Sequence, residues 1–561
     1  MPSILVNAPD MGINQLLPQN MRDPREAGNF AQNFIYENGI LKTPDGFAKL
    51  DMTTGLNSGA NILAVFPYRE ADEYDHLIAV STTKIYDHNR VSGSWDDKTG
   101  TAMTSSISYP ISYATILHND TDIYLDDNAA RANAYWHLVV CDGGQSNIQR
   151  WAGRYETDFA DVVGGGGYHN GTTHRGLQVG AFRSRMLIIS PRTYSSSSGL
   201  WEQNNQRVQY PIVSKLQTWT GTGSGFYDLM DTGGTNVWSA PLGNSQYMVY
   251  QTRGIWSLNY VGGTDIFSPL PVIPDLGLLS YNLLANFNNV HYFVGTDYNV
   301  YAYYGGTVKK SIGDKIHDDL RNSIDDAYLL RCRMTMGPFG KMLWIFIVPT
   351  GSTFCTKAYG YNPRTSAWMV KEFGDKYTAS GITAANLVEA QSYIAGDTYA
   401  TAVAAGTTYA DATAAGTTYA QALSEVRASQ RLVIGDSDGL IQQFDASVTT
   451  HDGELITSRH PTPVFDLGMP DKHKRWPGIS VTACGTGTDK AMQVRHRTSN
   501  FDTSDTGWTD QTQTLTSDYE EYPFYVNKTS KRIQWEIRDF SGQSFKARSY
   551  EIMEPMIEDD R

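Results

Sequence analysis

The sequence predicts an all-β fold: a β-propeller of six to eight blades, a C-terminal β-sandwich-like unit, and few, short helices. The first of three supporting observations is a recurring hairpin rhythm, in which an apolar period-2 strand enters a Gly, Asp or Asn turn and returns as an aromatic-rich strand. It appears in HLIAVSTTKIYDHN, HLVVCDGGQSNIQRW, YMVYQTRGIWSLNYVGG, HYFVGTDYNVYAYYGG, MLWIFIVPTGSTFCTKAYGYNPRTSAW and RLVIGDSDGLIQQFD. The second is spacing: these hairpins recur at intervals of about 40 to 80 residues, the period of four-stranded blades that bury their faces only against neighbours. The third is composition, since 34 Tyr, 12 Trp and 51 Gly suit short strands joined by tight turns. An array of β-sandwiches is the alternative architecture.

Taken in order, residues 1–60 form a segment leading into the first blade. Residues 61–447 hold the propeller, with loop insertions at the GGGG run (164–167) and TYSSSSG (193–199). Within it, SIGDKIHDDLRNSIDDAY places Ile312, Ile316, Leu320 and Ile324 on one helical stripe, with Ser311 and Asp314 spaced as a helix N-cap. A connector helix packed on the blades, or a docking helix for a partner, would produce that stripe. From about 455 to 561 the strands lengthen, and Arg, Lys and Glu alternate with apolar residues, as in MQVRHRTS and RIQWEIRDF. That pattern predicts the C-terminal unit, with one face solvated.

A tandem repeat at residues 396–425 is a further loop insertion of the propeller and precedes its last element, RLVIGDSDGLIQQFD. The units GDTYATAVAA, GTTYADATAA and GTTYAQALSE hold Tyr399, Tyr409 and Tyr419 in register. Each Gly breaks a turn, so a short spiral of tyrosines is expected. Three roles fit: a ladder that stacks rings, a packing motif for a neighbouring subunit, and a duplicated surface spacer.

Charge and cysteine usage limit the function classes. With 45 Lys plus Arg against 59 Asp plus Glu, the formal charge is −14, and no basic block is long enough to grip a phosphate backbone. An acidic wall remains compatible with DNA sliding past it. Cys141, Cys332, Cys355 and Cys484 are widely separated and form no CxxC pair, which predicts free thiols in a reducing compartment. The beginning MPSILVNAPDMGINQLLP lacks a charged and apolar leader pattern, so synthesis in the cytoplasm is expected.

No catalytic motif is complete. SDTGW (504–508) and GDSDGLIQQF are truncated relatives of the Asp-box turn of sialidase-like propellers, and such turns are structural. The acidic groups DEYD, LDDN and SIDD read as solvated turns. Asp120, Asp122 and Asp126 are close enough for calcium but lack the Gly and closing Glu of an EF-hand, so a polar turn is the alternative. His169 and His174 flank a Gly-rich loop without a third zinc ligand. No GxSxG context or phosphate loop appears. The expectation is therefore no enzyme, no cofactor and no metal. The local basic patch DKHKRW, with Lys472, Lys474 and Arg475, reads as a salt-sensitive subunit contact or as an exposed loop.

The stretch RDPREAGNFAQNFIYENGILKTPDGFAKL, with Asn33 and then Gly39, Leu41, Lys42, Pro44 and Gly46, resembles the opening segment of the tail hub, or nozzle, proteins of short-tailed double-stranded DNA phages. In that family a helix-like stretch leads into a Gly, Leu, basic, Pro, Gly turn; Lys42 stands where arginine is more usual. The run HYFVGTDYNVYAYYGG with SIGDKIHDDL, and the GTTYA units, are similar to a blade with its helix and to tandem Gly, Thr, aromatic units in such proteins. The resemblance implies a virion tail protein assembling with itself as a ring, commonly a hexamer, below the portal and its adaptor ring. It would retain and conduct double-stranded DNA, carry fibres or a needle, and insert nothing into a membrane. Tyr399, Tyr409, Tyr419, Lys472, Lys474 and Arg475 are then candidate subunit contacts. A phage-associated carbohydrate-binding or glycan-cleaving propeller is the alternative, and a cellular interaction propeller lacks its WD or kelch signatures.

Overall fold

The computed structural model describes residues 2–70, 75–89, 93–118, 135–153, 156–162, 174–195, 200–263, 265–374, 376–392, 427–445, 448–485, 491–501, 507–540 and 544–558. Seven sheets, five of them wholly antiparallel and two with short parallel additions at the outer edge, follow one another along the chain as the blades of a propeller. Their first strands are Ile62–Arg69, Ser112–His118, Arg175–Phe182, Asn236–Leu242, Leu284–Phe287, Arg333–Met336 and Ile382–Ser392. Most of these strands lie against the first strand of the next blade, and the last lies against the first, so they form the inner ring.

Among the described residues six apolar cores tile the ring, five of them at one junction of blades each and the largest at two. Asp75–Ser81 shows how a single strand serves two of them. Ile78 and Val80 join the core shared with blade two, whereas Leu77 and Ala79 join the core shared with blade seven. In blade four, Tyr247 and Val249 face blade three while Met248 and Tyr250 face blade five. Period-2 alternation with both faces covered explains why these strands read as unbroken apolar runs rather than as clean in-out patterns. The core holding blades five, six and seven extends without interruption into the C-terminal unit.

Each of the six hairpins quoted above lies on the second and third strands of a blade: blades one, two, four, five, six and seven. Blade three is the one that the rhythm misses. Its first turn places Arg183 and Ser184, rather than Gly or Asn, at positive φ (52° and 55°). Its third strand, Arg207–Tyr210, is only 4 residues long.

The first sixty residues serve three different sheets instead of only leading into blade one. Gly12–Ile13 and Glu26–Ala27 extend the outer edge of blade six. Gly46–Lys49 forms the fourth strand of blade seven, pairing antiparallel with Ile441–Asp445, so chain segments from opposite ends close the ring. Gly46 is required there, because a Cβ would lie 2.1 Å from the Thr450 carbonyl oxygen. Ile4–Asn7 and the hairpin Ile35–Glu37/Ile40–Lys42 join the C-terminal strands Lys474–Gly485, Glu520–Ser530 and Phe545–Ile552 in one sheet. The hairpin turn, Asn38 and Gly39, has both residues at positive φ (53° and 77°), as a two-residue type I′ turn needs. The stretch before it is not helical: apart from a short 3₁₀ turn at Gln19–Met21, it consists of turns, with Phe30 and Asn33 at positive φ (66° and 56°), around one two-residue strand.

The second C-terminal sheet consists of Ser458–Pro461, Gln534–Asp539, Ala491–Arg497 and Thr509–Thr514. Its Val494, Trp535 and Ile537 share one core with Ile479, Val481 and Phe545 of the first sheet. The helical stripe is realised as a 3₁₀ turn at Asp314–Ile316, an α-helix at His317–Ser323 and a 3₁₀ stretch at Asp326–Arg331. Ile316, Leu320 and Ile324 pack into the large core, the connector arrangement, with Ile312 half-buried beside them. The N-cap of the opening turn is Gly313; Ser311 instead donates its hydroxyl to the Asp314 carboxylate.

Candidate functional site

The inner strands of six of the seven blades enclose a cavity of about 390 Å³. Its wall presents as much polar as apolar surface, the apolar part including Leu63, Trp238, Met334 and Met336, and Phe66 is stacked on Tyr113 at 4.0 Å between ring centres. Tyr113 is 38 % exposed and Asn286 is exposed, so both stand where the cavity meets solvent. Deep in the wall lies Arg333, only 6 % exposed. Its Nε donates to the Thr383 carbonyl at 2.9 Å, whereas Nη2 has no hydrogen-bond partner. Burial pushes its guanidinium pKa below the ordinary value. The Asn282 carbonyl accepts from Met334 N at 2.7 Å, which fixes Asn282 next to Arg333. The Asn282 Nδ2 is buried and also lacks a partner. No carboxylate occurs among the described residues lining the cavity.

Neither Arg333 nor Asn282 stands out in a reading by motif. The available signal is local: RCRMTM alternates Arg331, Arg333 and Thr335 with the apolar Cys332, Met334 and Met336, and an arginine inside so apolar a strand needs a reason.

The basic patch divides. Lys472 and Arg475 are exposed, but Lys474 is fully buried at the start of strand Lys474–Gly485. Its ammonium donates to three carbonyls, those of Met469, Lys472 (2.9 Å) and Lys531 (2.9 Å). Lys474 is therefore a structural residue of its own chain and not a surface for a neighbour. Strand alternation explains the split: Lys474 shares the inward phase of Trp476, and Arg475 points outward. Tyr399, Tyr409 and Tyr419 lie outside the described residues. The strands flanking the repeat, Ile382–Ser392 and Arg427–Asp436, pair up to Ser392 and Arg427.

Other chemistry-bearing residues fill structural roles. His76 is buried between Glu70 and Asp87, with 2.8 Å to each. Although burial opposes it, these two carboxylates raise its pKa, making a buried ionic link across blade one. Asp436, in the GDSDGLIQQF turn, accepts from Asp438 N, Leu440 N and Gln442 Nε2, which is how a turn-holding Asp behaves. Burial raises its pKa to about 6. Asp325 accepts from Ala327 N, and Asp326 accepts from Tyr298 Oη at 2.6 Å. His174 is buried with its ring 4.4 Å from that of Trp219. Asp120, Asp122, Asp126, His169 and the GGGG run lie outside the described residues. Among the described residues no three His, Cys, Asp or Glu side chains group as a metal site, and the four cysteines are buried and unpaired with one another. No helix among the described residues is long and apolar enough to cross a membrane, which says nothing of β-barrels.

No family model and no curated protein matches this chain. Among solved structures, it is similar to YCF48 bound to a D1 peptide, at 9% identity and a TM-score of 0.34, covering 71% of this chain and 97% of that one. It is also similar to the dihydro-heme d1 dehydrogenase NirN in complex with DHE, at 8% identity and a TM-score of 0.32, covering 57% of this chain and 59% of that one. The propeller rests on the closed ring of seven sheets, and these distant likenesses assign no activity.

Proposed function

We propose that the chain is a structural virion protein: a hub or nozzle subunit of a short-tailed phage that assembles as a ring, conducts DNA and acts without enzymatic chemistry. One observation carries the reading. The segment that resembles the opening of such proteins is also the segment that binds the molecule together. Within residues 33–49, Asn33 bridges two elements, accepting from Glu372 N at 2.8 Å and donating to the Thr457 carbonyl at 2.8 Å. The Asn38-Gly39 hairpin builds the C-terminal sheet, and Gly46–Lys49 closes the propeller. Propeller and sandwich thus form one continuous load path, which suits a part that transmits force between an adaptor ring and distal fibres.

The axial cavity is far too small for a DNA duplex, so in this reading the channel runs between copies and not through a propeller. The acidic balance of the chain supports a wall that does not hold phosphates. Mass photometry of the purified chain, alone and with its adaptor proteins, followed by negative-stain imaging, tests this. A closed ring with a central hole is expected. A persistent monomer in the presence of the adaptor would overturn the reading, and release of glycan from host cells would favour a glycan-cleaving propeller.

A further inference from the structure

We propose that the axial cavity is a binding site for a small organic anion, a carboxylate on an apolar or aromatic body, held by Arg333 and Asn282. The inference does not depend on the tail reading. It starts from the cost of what is present: a guanidinium with 6 % exposure, one unpartnered Nη2, and no carboxylate on the surrounding wall. Burying a charge without a partner is strongly unfavourable.

Two donor-bearing residues of the cavity wall lie on neighbouring segments. The Asn282 amide and the Arg333 guanidinium belong to adjacent segments tied by the Met334 N to Asn282 O bond of 2.7 Å. Both have buried N–H groups without an acceptor, and a carboxylate is an acceptor-only group that takes two or more donors. Around them apolar and aromatic side chains share the wall with polar surface, and the cavity of about 390 Å³ falls within the usual range for small-molecule sites. Tyr113, stacked on the buried Phe66, stands towards the open end, where Asn386 Nδ2 donates to its hydroxyl at 3.2 Å. A bare inorganic anion would leave this wall unused. A carboxylate with a ring or short hydrocarbon body would cover it.

The test is scanning calorimetry of the full chain with benzoate, glucuronate and inorganic phosphate as separate probes. Benzoate should raise Tm by a constant step for each tenfold increase in concentration above Kd. Arg333→Met, which keeps the packed stem, should fold with an unchanged or higher Tm without probe and bind benzoate on the order of tenfold to a hundredfold more weakly. If that variant does not fold, Ala385→Phe fills the cavity from another strand while leaving Arg333 in place, and it should likewise abolish the benzoate response. The proposal is overturned if no probe moves Tm, if Arg333→Met or Ala385→Phe responds to benzoate as the parent does, or if phosphate or glucuronate matches benzoate. That last result would mean a site that reads charge alone.

Discussion

The C-terminal sandwich and the propeller axis both bury cations, and they provide for them in opposite ways. In the sandwich, Arg459 and Arg495 converge on Glu536, which has no solvent exposure; Arg459 Nη2 lies at 2.8 Å and Arg495 Nε at 3.0 Å. Arg497 donates to Gln534 Oε1 at 2.8 Å and the Phe501 carbonyl at 2.8 Å, and lies 4.4 Å from the ring centre of Trp508. Lys474 has its three carbonyls. At the junction of propeller and sandwich, Lys371 has one carbonyl, that of Asp45 at 2.6 Å, and the ring of Phe444 at 4.5 Å. At the axis Arg333 has one carbonyl and no ring or acid. The gradient teaches that burial alone does not define a structural cation. The partner set does, and it is fuller for Arg459, Arg495 and Arg497 in the sandwich, although Arg538 there also has a buried Nε without a partner, than for Arg333 at the axis.

The contrast is broken most severely at Glu536. Glu536→Gln removes the counter-charge of two buried arginines at once, and breaking a buried pair costs about 3–5 kcal/mol. Urea denaturation should show a fall in unfolding free energy of that size with little change in m-value. A loss below about 1 kcal/mol would mean that water already compensates these arginines. Next is Lys474→Met, which keeps the stem but leaves three carbonyls without a donor. A loss of about 2 kcal/mol is expected by the same measurement, since each bare buried acceptor costs about 1–3 kcal/mol unless the turn relaxes.

Lys371 sharpens the comparison through pH. Burial lowers its pKa to about 7, against an ordinary lysine value near 10.4. Between these values the unfolded chain binds a proton that the folded chain does not, so the contribution of Lys371 to stability rises with pH over that window and is at its worst below pH of about 7. Denaturation of the parent and of Lys371→Met at pH 7, 8 and 9 should show the parent gaining on the variant by about 1 kcal/mol per pH unit. Parallel curves would show that the Asp45 carbonyl and the Phe444 ring suffice to keep Lys371 charged.

Much of the architecture was legible from local pattern, because hairpin rhythm follows from strand periodicity and turn chemistry. The quoted hairpins all lie on blades, and the helical stripe at Ile316, Leu320 and Ile324 is packed in the core. What escaped was whatever depends on contacts between distant segments. No local signal in Gly46–Lys49 says that it completes a sheet begun at Ile382, and none in Ile35–Lys42 says that it belongs with Phe545–Ile552. The candidate site escaped for the same reason, since six blades must close before Arg333 meets a cavity. Lys474 was different: the inward phase of Trp476, two residues on, was readable, and the run of charges in DKHKRW concealed it.

The smallest expected effect separates Lys474 from its neighbours. Lys472 and Arg475 are exposed, so the double change Lys472→Ala with Arg475→Ala should alter the stability of the isolated chain by no more than about 0.5 kcal/mol. Their effect belongs to assembly, if they have one. In the ring reading, two cations on an acidic chain face acidic surface on a neighbour, and contacts between exposed charges weaken as salt shortens the Debye length. Sedimentation of parent and double variant over a range of salt concentrations should then show rings of the parent dissociating as salt rises, and rings of the variant already weakened at low salt. Equal assembly of the two proteins at every salt concentration would remove Lys472 and Arg475 from the interface. Lys474→Met separates the two roles: it lowers the stability of the chain itself, and any loss of rings follows from that unfolding.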